Sequence, residues 1–438
     1  MKIYDIIGIG IGPFNLGLAA LLNDKPINCL FFDKKDNFSW HPGLMINWTT
    51  LQVPFLADLV TMADPTSEFT FLNYLHQKNR MYKFYFKENF FIPRQEYNDY
   101  CLWVSQKCNS CKFGYEVINI EHQIDSLNEA WCITVKDKDN LEQQYLTKNI
   151  VLGLGTSAYL PSKLQNKANI HHSSEYLNIK DQALKDQHIT LIGSGQSAGE
   201  IFLDLMKSKD DSTKISWLTR SKGFFPMEYS KLGLEHFSPD YIEYFYNLPN
   251  LEKPKLLSEQ DLLYKGISAE TISDIYDVLY EQSIEDKNNA ELIANCECLN
   301  VDNSQDKLLC SFYHSQQNQE FSIATDRVIA ATGYKANINN VLKNIEALIQ
   351  RDDSNNLKIS RDYKIITQNT SLNIFVQNAE INSHGVGTPD LGLGGYRNTV
   401  IVNTLLNEEI YKVSSRTIFS TFGVPRKYLT QRANIKVA

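Results

Sequence analysis

Two glycine clusters carry the first recognisable chemistry in this chain, Gly8-Ile9-Gly10-Ile11-Gly12-Pro13 and Gly193-Ser194-Gly195-Gln196-Ser197-Ala198. Each follows a short apolar run of strand character, residues 3–7 and 189–192. Each also precedes a helical run, residues 14–22 and 199–206. Glycines in that setting let the backbone turn sharply and approach a pyrophosphate, whose charge then rests on the N-terminus of the helix. Two such sites in one chain point to two dinucleotides and to electron transfer between them.

The residues placed to read the ribose differ. The strand after the first cluster, Cys29-Leu30-Phe31-Phe32-Asp33, ends in an acid at about the usual ~20-residue distance, suited to accept from ribose hydroxyls. The corresponding strand of the second unit, residues 215–219, ends in Arg220-Ser221-Lys222. A carboxylate would repel a 2′-phosphate, whereas Arg220 and Lys222 would attract one. The first site is therefore expected to hold FAD and the second NADPH.

The elements around these sites describe an α/β protein of two Rossmann-like dinucleotide-binding domains, one nested in the other. Residues 1–165 read as the first part of the FAD domain, closing with the strand at 149–155. Residues 166–326 read as the NADPH domain, and 327–438 as the return to the FAD domain, opened by the strand and turn at 327–334. Within the second domain, a polar, aromatic-rich segment at about 227–286 reads as a small, mainly helical substrate region, with helices near 240–246 and 268–282.

Composition fits an enzyme of this kind. The 438 residues, 43% hydrophobic and 21% charged, suffice for two or three domains. A net charge of -8 argues against nucleic acid as a partner. No apolar stretch approaches ~20 residues, so no membrane span is expected and a cytoplasmic location is. Eight cysteines, among them Cys108-Asn109-Ser110-Cys111 and Cys296-Glu297-Cys298, lack four-ligand zinc spacing and read as reduced thiols; no metal site is expected.

Further motifs carry a resemblance. Phe38-Ser39-Trp40-His41-Pro42-Gly43, Asp64-Pro65-Thr66-Ser67, Phe71-Leu72-Asn73-Tyr74-Leu75 and Ala331-Thr332-Gly333-Tyr334, with Pro13-Phe14-Asn15-Leu16 in the first fingerprint, stand in one order along the chain. Together they resemble the microbial flavin-dependent N-hydroxylating monooxygenases that make hydroxamate siderophore precursors from lysine, ornithine or related amines. The resemblance runs from Gly8 to Arg397. It implies that Gly8, Gly10, Gly12 and Pro13 line the FAD pyrophosphate and Asp33 its ribose. It places Trp40, His41 and Gln52 near the isoalloxazine, and Thr332 and Gly333 beside the cofactor. Gly193, Gly195, Gln196, Ser197, Arg220 and Lys222 would contact NADPH. It also implies a homo-oligomer, dimer or tetramer.

The reaction so implied transfers oxygen from O₂ to an amine nitrogen through a C4a-hydroperoxyflavin. Only a neutral amine has the required lone pair. With an alkylamine pKa of about 10.4, holding it neutral near pH 7 costs on the order of 4–5 kcal/mol. A desolvated pocket supplies part of that, so no general acid or base is assigned.

Departures from the family pattern bear on the substrate. Ala57 stands where the amino-acid hydroxylases carry a lysine that binds the α-carboxylate. Leu234 stands in place of an asparagine, and Gly392 in place of a serine. Burying a carboxylate among these would cost several kcal/mol. The expected substrate is an amine without an α-carboxylate, namely putrescine, cadaverine or histamine, with Glu235 and Asp390 as candidates to pair a second ammonium. The alternatives are a lysine or ornithine N-monooxygenase, a Baeyer–Villiger or sulfur-oxidising flavoprotein, and an NADPH-dependent disulfide reductase using Cys108 and Cys111.

Overall fold

The first strand, Ile3–Ile9, is flanked on both sides by parallel strands, Cys29–Asp33 and Glu142–Leu152, so its apolar residues are enclosed. The computed structural model describes residues 2–124, 129–284, 287, 289–304, 306–336 and 338–428. The full order of this sheet is Cys111–Phe113, Cys29–Asp33, Ile3–Ile9, Glu142–Leu152, Glu129–Asp137, Tyr115–Ile124, with Asn373–Val376 also paired to Glu142–Leu152. The helix Pro13–Leu22 takes Pro13 at its first turn, where a missing N–H costs nothing. It is apolar almost throughout because it lies against the sheet on one side and the helix Gly394–Leu406 on the other, where Asn398 Nδ2 donates to Phe14 O at 3.0 Å.

A second parallel sheet has the order Ala290–Ile293, Lys214–Leu218, His188–Ile192, Arg327–Ala330, Ile170–His172. Here the structure corrects the sequence reading of 327–334. Arg327–Ala330 pairs with His188–Ile192 and Ile170–His172 as an inner strand of the second sheet, and does not open the return to the first. A fully buried Val-Ile-Ala run fits either sheet, and only pairing decides between them. The return comes just after, where Tyr334–Ala336 pairs antiparallel with the outgoing Thr156–Ala158 in a two-stranded ribbon.

The insertion forms the helices Pro239–Tyr246, Glu252–Glu259 and Ala269–Ile284, in line with the periodicity at 240–246 and 268–282. An antiparallel meander, Cys296–Ser304, Lys307–His314 and Gln319–Thr325, follows it. The two units are joined by a largely buried ion pair. Arg94, which opens the helix Arg94–Lys107, donates from Nη1 and Nη2 to the two oxygens of Glu200 at 2.8 and 2.6 Å. Among the described residues no helix is long and apolar enough to cross a membrane.

Candidate active site

Both glycine clusters open onto one continuous cavity of about 2530 Å³ between the sheets. Single-ligand pockets are typically about 300–1,000 Å³, so this space suits two dinucleotides and a small substrate.

The first cradle is built by backbone geometry. Gly10 has φ +85°, and a Cβ there would stand 2.5 Å from Gly153 O. Gly12 caps the helix, and its missing Cβ faces open cavity, as a pyrophosphate approaching the backbone requires. Asn15 fixes the loop from below, donating to Gly10 O at 2.8 Å while its own carbonyl accepts from Gln377 Nε2 at 2.7 Å. Asp33 lines the cavity, and its two oxygens accept from Ile11 N–H (2.8 Å) and Lys35 N–H (3.0 Å). Gly8 lies off the cavity; a Cβ there would run into the Phe31 ring, so its role is the close approach of two strands.

In the second cradle Gly193 has φ +138° and sits against Ala331 O, while Gly195 caps the helix Gln196–Ser208. Gly193, Gly195, Gln196 and Ser197 line the cavity, as do Thr332 and Gly333 just before the strand Tyr334–Ala336. The Gln196 amide, expected near NADPH, is committed within the protein. It donates to Glu200 Oε1 (2.8 Å) and Thr271 Oγ1 (3.1 Å) and accepts from Ser268 N–H (2.7 Å). Arg220 is exposed on the cavity wall next to Ser221, whose hydroxyl meets that of Ser194 at 2.9 Å. Lys222 is exposed and lies off that wall.

Between the cradles, Trp40 packs edge-on against His41 and Tyr97, with centroid distances of 5.0 and 5.2 Å. His41 is exposed and lines the cavity. Enclosure by protein, then the charges of Arg94 and Lys35, push its pKa down to about 4, so the ring is neutral at physiological pH. Tyr334 stands 6.0 Å from His41 and 5.0 Å from His172, closing the junction with aromatic surface.

The far end of the cavity draws on three distant parts of the chain. Ala57 is buried on the loop after Gln52, and a Cβ built on Gly392 would stand 3.7 Å from Ala57 Cβ and 2.9 Å from Asp390 Oδ1. Leu234, 40% exposed, lines the same cavity. Glu235, its neighbour, does not. Its carboxylate accepts from Phe419 N–H (3.0 Å) and Ser420 N–H (2.8 Å), so it holds the C-terminal segment and is not placed to pair with an amine. One wall residue went unread in the sequence: Tyr229 lines the cavity and donates to Gln52 O at 2.5 Å. No motif or spacing marks it.

Cys108 and Cys111 sit in a turn after the helix Arg94–Lys107, with Cys111 N–H donating to Cys108 O at 3.0 Å. The neighbouring Cys108 thiol, followed by burial, pushes the Cys111 thiol up, and neither residue lines the cavity. They therefore offer no redox pair beside a flavin, as a disulfide reductase would need.

Comparison with known proteins agrees with this geometry. The sequence profile described as L-lysine 6-monooxygenase/L-ornithine 5-monooxygenase matches residues 2–336. A putrescine N-hydroxylase of Shewanella oneidensis is 43% identical over 427 residues, covering 96% of this chain and 84% of that protein. An L-lysine N6-monooxygenase of Escherichia coli is 31% identical over 421 residues, covering 94% and 97%. Among solved structures, the FAD-bound cadaverine monooxygenase of the Erwinia amylovora desferrioxamine pathway superposes with a TM-score of 0.93 at 38% identity, covering 97% of this chain and 99% of that one.

Proposed function

The chain belongs to the L-lysine 6-monooxygenase/L-ornithine 5-monooxygenase family, and we propose that it N-hydroxylates one end of a short diamine, putrescine or cadaverine, as a step in siderophore assembly. It is a flavin-dependent N-monooxygenase. Gly10, Gly12, Pro13 and Asp33 would hold FAD. Gly193, Gly195, Ser197 and Arg220 would hold NADPH, Arg220 meeting the 2′-phosphate. When bound, NADPH would supply two electrons and the flavin would pass them to O₂, the source of the oxygen atom transferred.

The protein's own residues do the rest. Ala57, Leu234 and Gly392 present a surface with no side chain that could pair an α-carboxylate. The Trp40, His41 and Tyr334 rings, packed together at the junction of the two cradles, would help to exclude water there once the cofactors are bound. Because His41 is neutral, it adds no positive charge to oppose amine entry.

The observation that carries the choice of substrate is the meeting of Ala57 and Gly392 in one wall, with Leu234 on the same cavity. None of these side chains can donate to a carboxylate. The greater likeness to a putrescine hydroxylase than to a lysine hydroxylase supports the same reading. The test is hydroxylamine formation with NADPH across putrescine, cadaverine, histamine, ornithine and lysine. A diamine should lead, and the reading fails if ornithine or lysine is preferred over every amine lacking a carboxylate.

A homo-oligomer, dimer or tetramer, in the cytoplasm belongs to the same reading. Its support is an exposed aromatic stripe at Tyr82, Tyr85, Phe86 and Phe90, each at least 68% exposed, which a second copy would cover. Light scattering on the purified protein checks the assembly.

A further inference from the structure

Asp390 stands on the cavity wall beside Ala57 and Gly392, neither of which has a polar side chain. Protein encloses it on all sides except the cavity, and its Oδ1 accepts from Leu393 N–H at 3.2 Å, capping the short turn Leu391–Leu393. The Gly392 N–H also donates to the carboxylate, so both of these donors are backbone. Among the described residues no Lys, Arg or His is within ion-pair distance of it. Arg397, whose charge reaches Asp390, is already used elsewhere. It pairs with the buried Glu380 at 2.8 Å, donates to Thr388 O at 2.7 Å and lies over the Phe14 ring. Asp390 is therefore an enclosed carboxylate without a cation, an arrangement that is costly unless something supplies the missing charge.

Tyr229 stands on the same cavity, held by its bond to Gln52 O, and burial together with the Asp390 charge pushes its pKa up to about 12. The phenol stays neutral and lines the same cavity as the carboxylate; an aromatic face together with a carboxylate is a pairing that recognises alkylammonium ions.

We propose that Asp390, with Tyr229 beside it, is the subsite for the second, positively charged end of the diamine, and that it selects against amino acids. This rests on the N-hydroxylation reading above and deepens it. The reactive amine must be neutral, whereas the distal one keeps its proton and ends against Asp390. An amino acid carries the same distal ammonium but adds an α-carboxylate on that carbon, which would stand close to Asp390 with no cation to pair it, a repulsive element added to the loss of attractive ones. The substitutions at 57 and 392 then form one device. A lysine at 57 would reach Asp390 across Gly392 and neutralise it, so Ala57 keeps the carboxylate free for substrate.

The test compares putrescine with n-butylamine, which has the same carbon chain and no second ammonium. The wild type should favour putrescine in kcat/KM by about 100-fold, the size expected for one desolvated charge pair. Asp390→Asn should bring that ratio close to one, mainly through the KM for putrescine. Ala57→Lys, which leaves Asp390 in place, should do the same. Only the double variant Ala57→Lys/Asp390→Asn should gain ornithine turnover.

A wild-type ratio near one overturns the proposal without any variant. So does a ratio that survives in either single variant that retains its flavin. If Asp390→Asn fails to hold flavin, Ala57→Lys decides alone. A wild type that prefers ornithine sinks the diamine reading itself. A wild type that prefers putrescine with unchanged ratios in the variants sinks only the role of Asp390.

Discussion

The two nucleotide cradles share a backbone plan and differ in what surrounds it. In the first, Gly10 is locked against Gly153 O, while Gly12 faces open cavity and Asp33 closes the adjacent strand. In the second, the insertion comes close overhead, with Lys265 O 3.5 Å from a Cβ built on Gly195, and the adjacent strand ends in Thr219, Arg220 and Ser221. The strand–turn–helix unit supplies pyrophosphate affinity in both, from main-chain N–H groups that any sequence with the right glycines provides. The choice of cofactor is left to a few side chains at one strand end.

The largest expected effect breaks the shared part. Gly10→Ala forces a Cβ into Gly153 O at a φ of +85°, where both partners are backbone and neither can yield. The purified variant should carry almost no flavin, and wild-type absorbance near 450 nm would show that the loop tolerates the change. A smaller effect tests the distinguishing part. Arg220→Ala should raise the KM for NADPH by roughly 10- to 100-fold and that for NADH little, since it removes a charge-assisted contact made only by the 2′-phosphate. Equal effects on both would show that discrimination lies elsewhere. The smallest effect separates two neighbours that the sequence treats alike. Because Lys222 lies off the cavity wall, Lys222→Ala should change the KM for NADPH by no more than about 2-fold, the usual yield of an exposed charge. An effect as large as that of Arg220→Ala would mean that both cations grip the phosphate.

Much of this architecture is legible along the chain because its signals are local. The strand at Cys29–Asp33 falls where its apolar run places it, and the insertion helices fall at their periodic segments. The two cradles are written within six residues each. The antiparallel meander at 296–325 has no comparable signal, since its strands are half exposed and lack a strong turn signature. The strand Arg327–Ala330 is legible as a strand but not as a member of the second sheet, because every face of it is buried and burial alone does not name the neighbours.

The proposed amine site divides along the same line. Ala57, Leu234 and Gly392 stand out singly, by the side chains they lack. Adjacent in sequence, Leu234 and Glu235 looked like one feature, yet the turn at 233–236 sends Leu234 to the cavity and Glu235 to the C-terminal segment. The sequence by itself determined the two glycine cradles, the unlike charges of Asp33 and Arg220 beside them and the alanine at position 57, because each is fixed by contiguous residues or by one residue type. Only the tertiary structure decided that Asp390 has no cation paired with it among the described residues and that Tyr229 stands on its cavity. A carboxylate's partners come from whatever elements pack around it, and here those lie hundreds of residues apart in the chain.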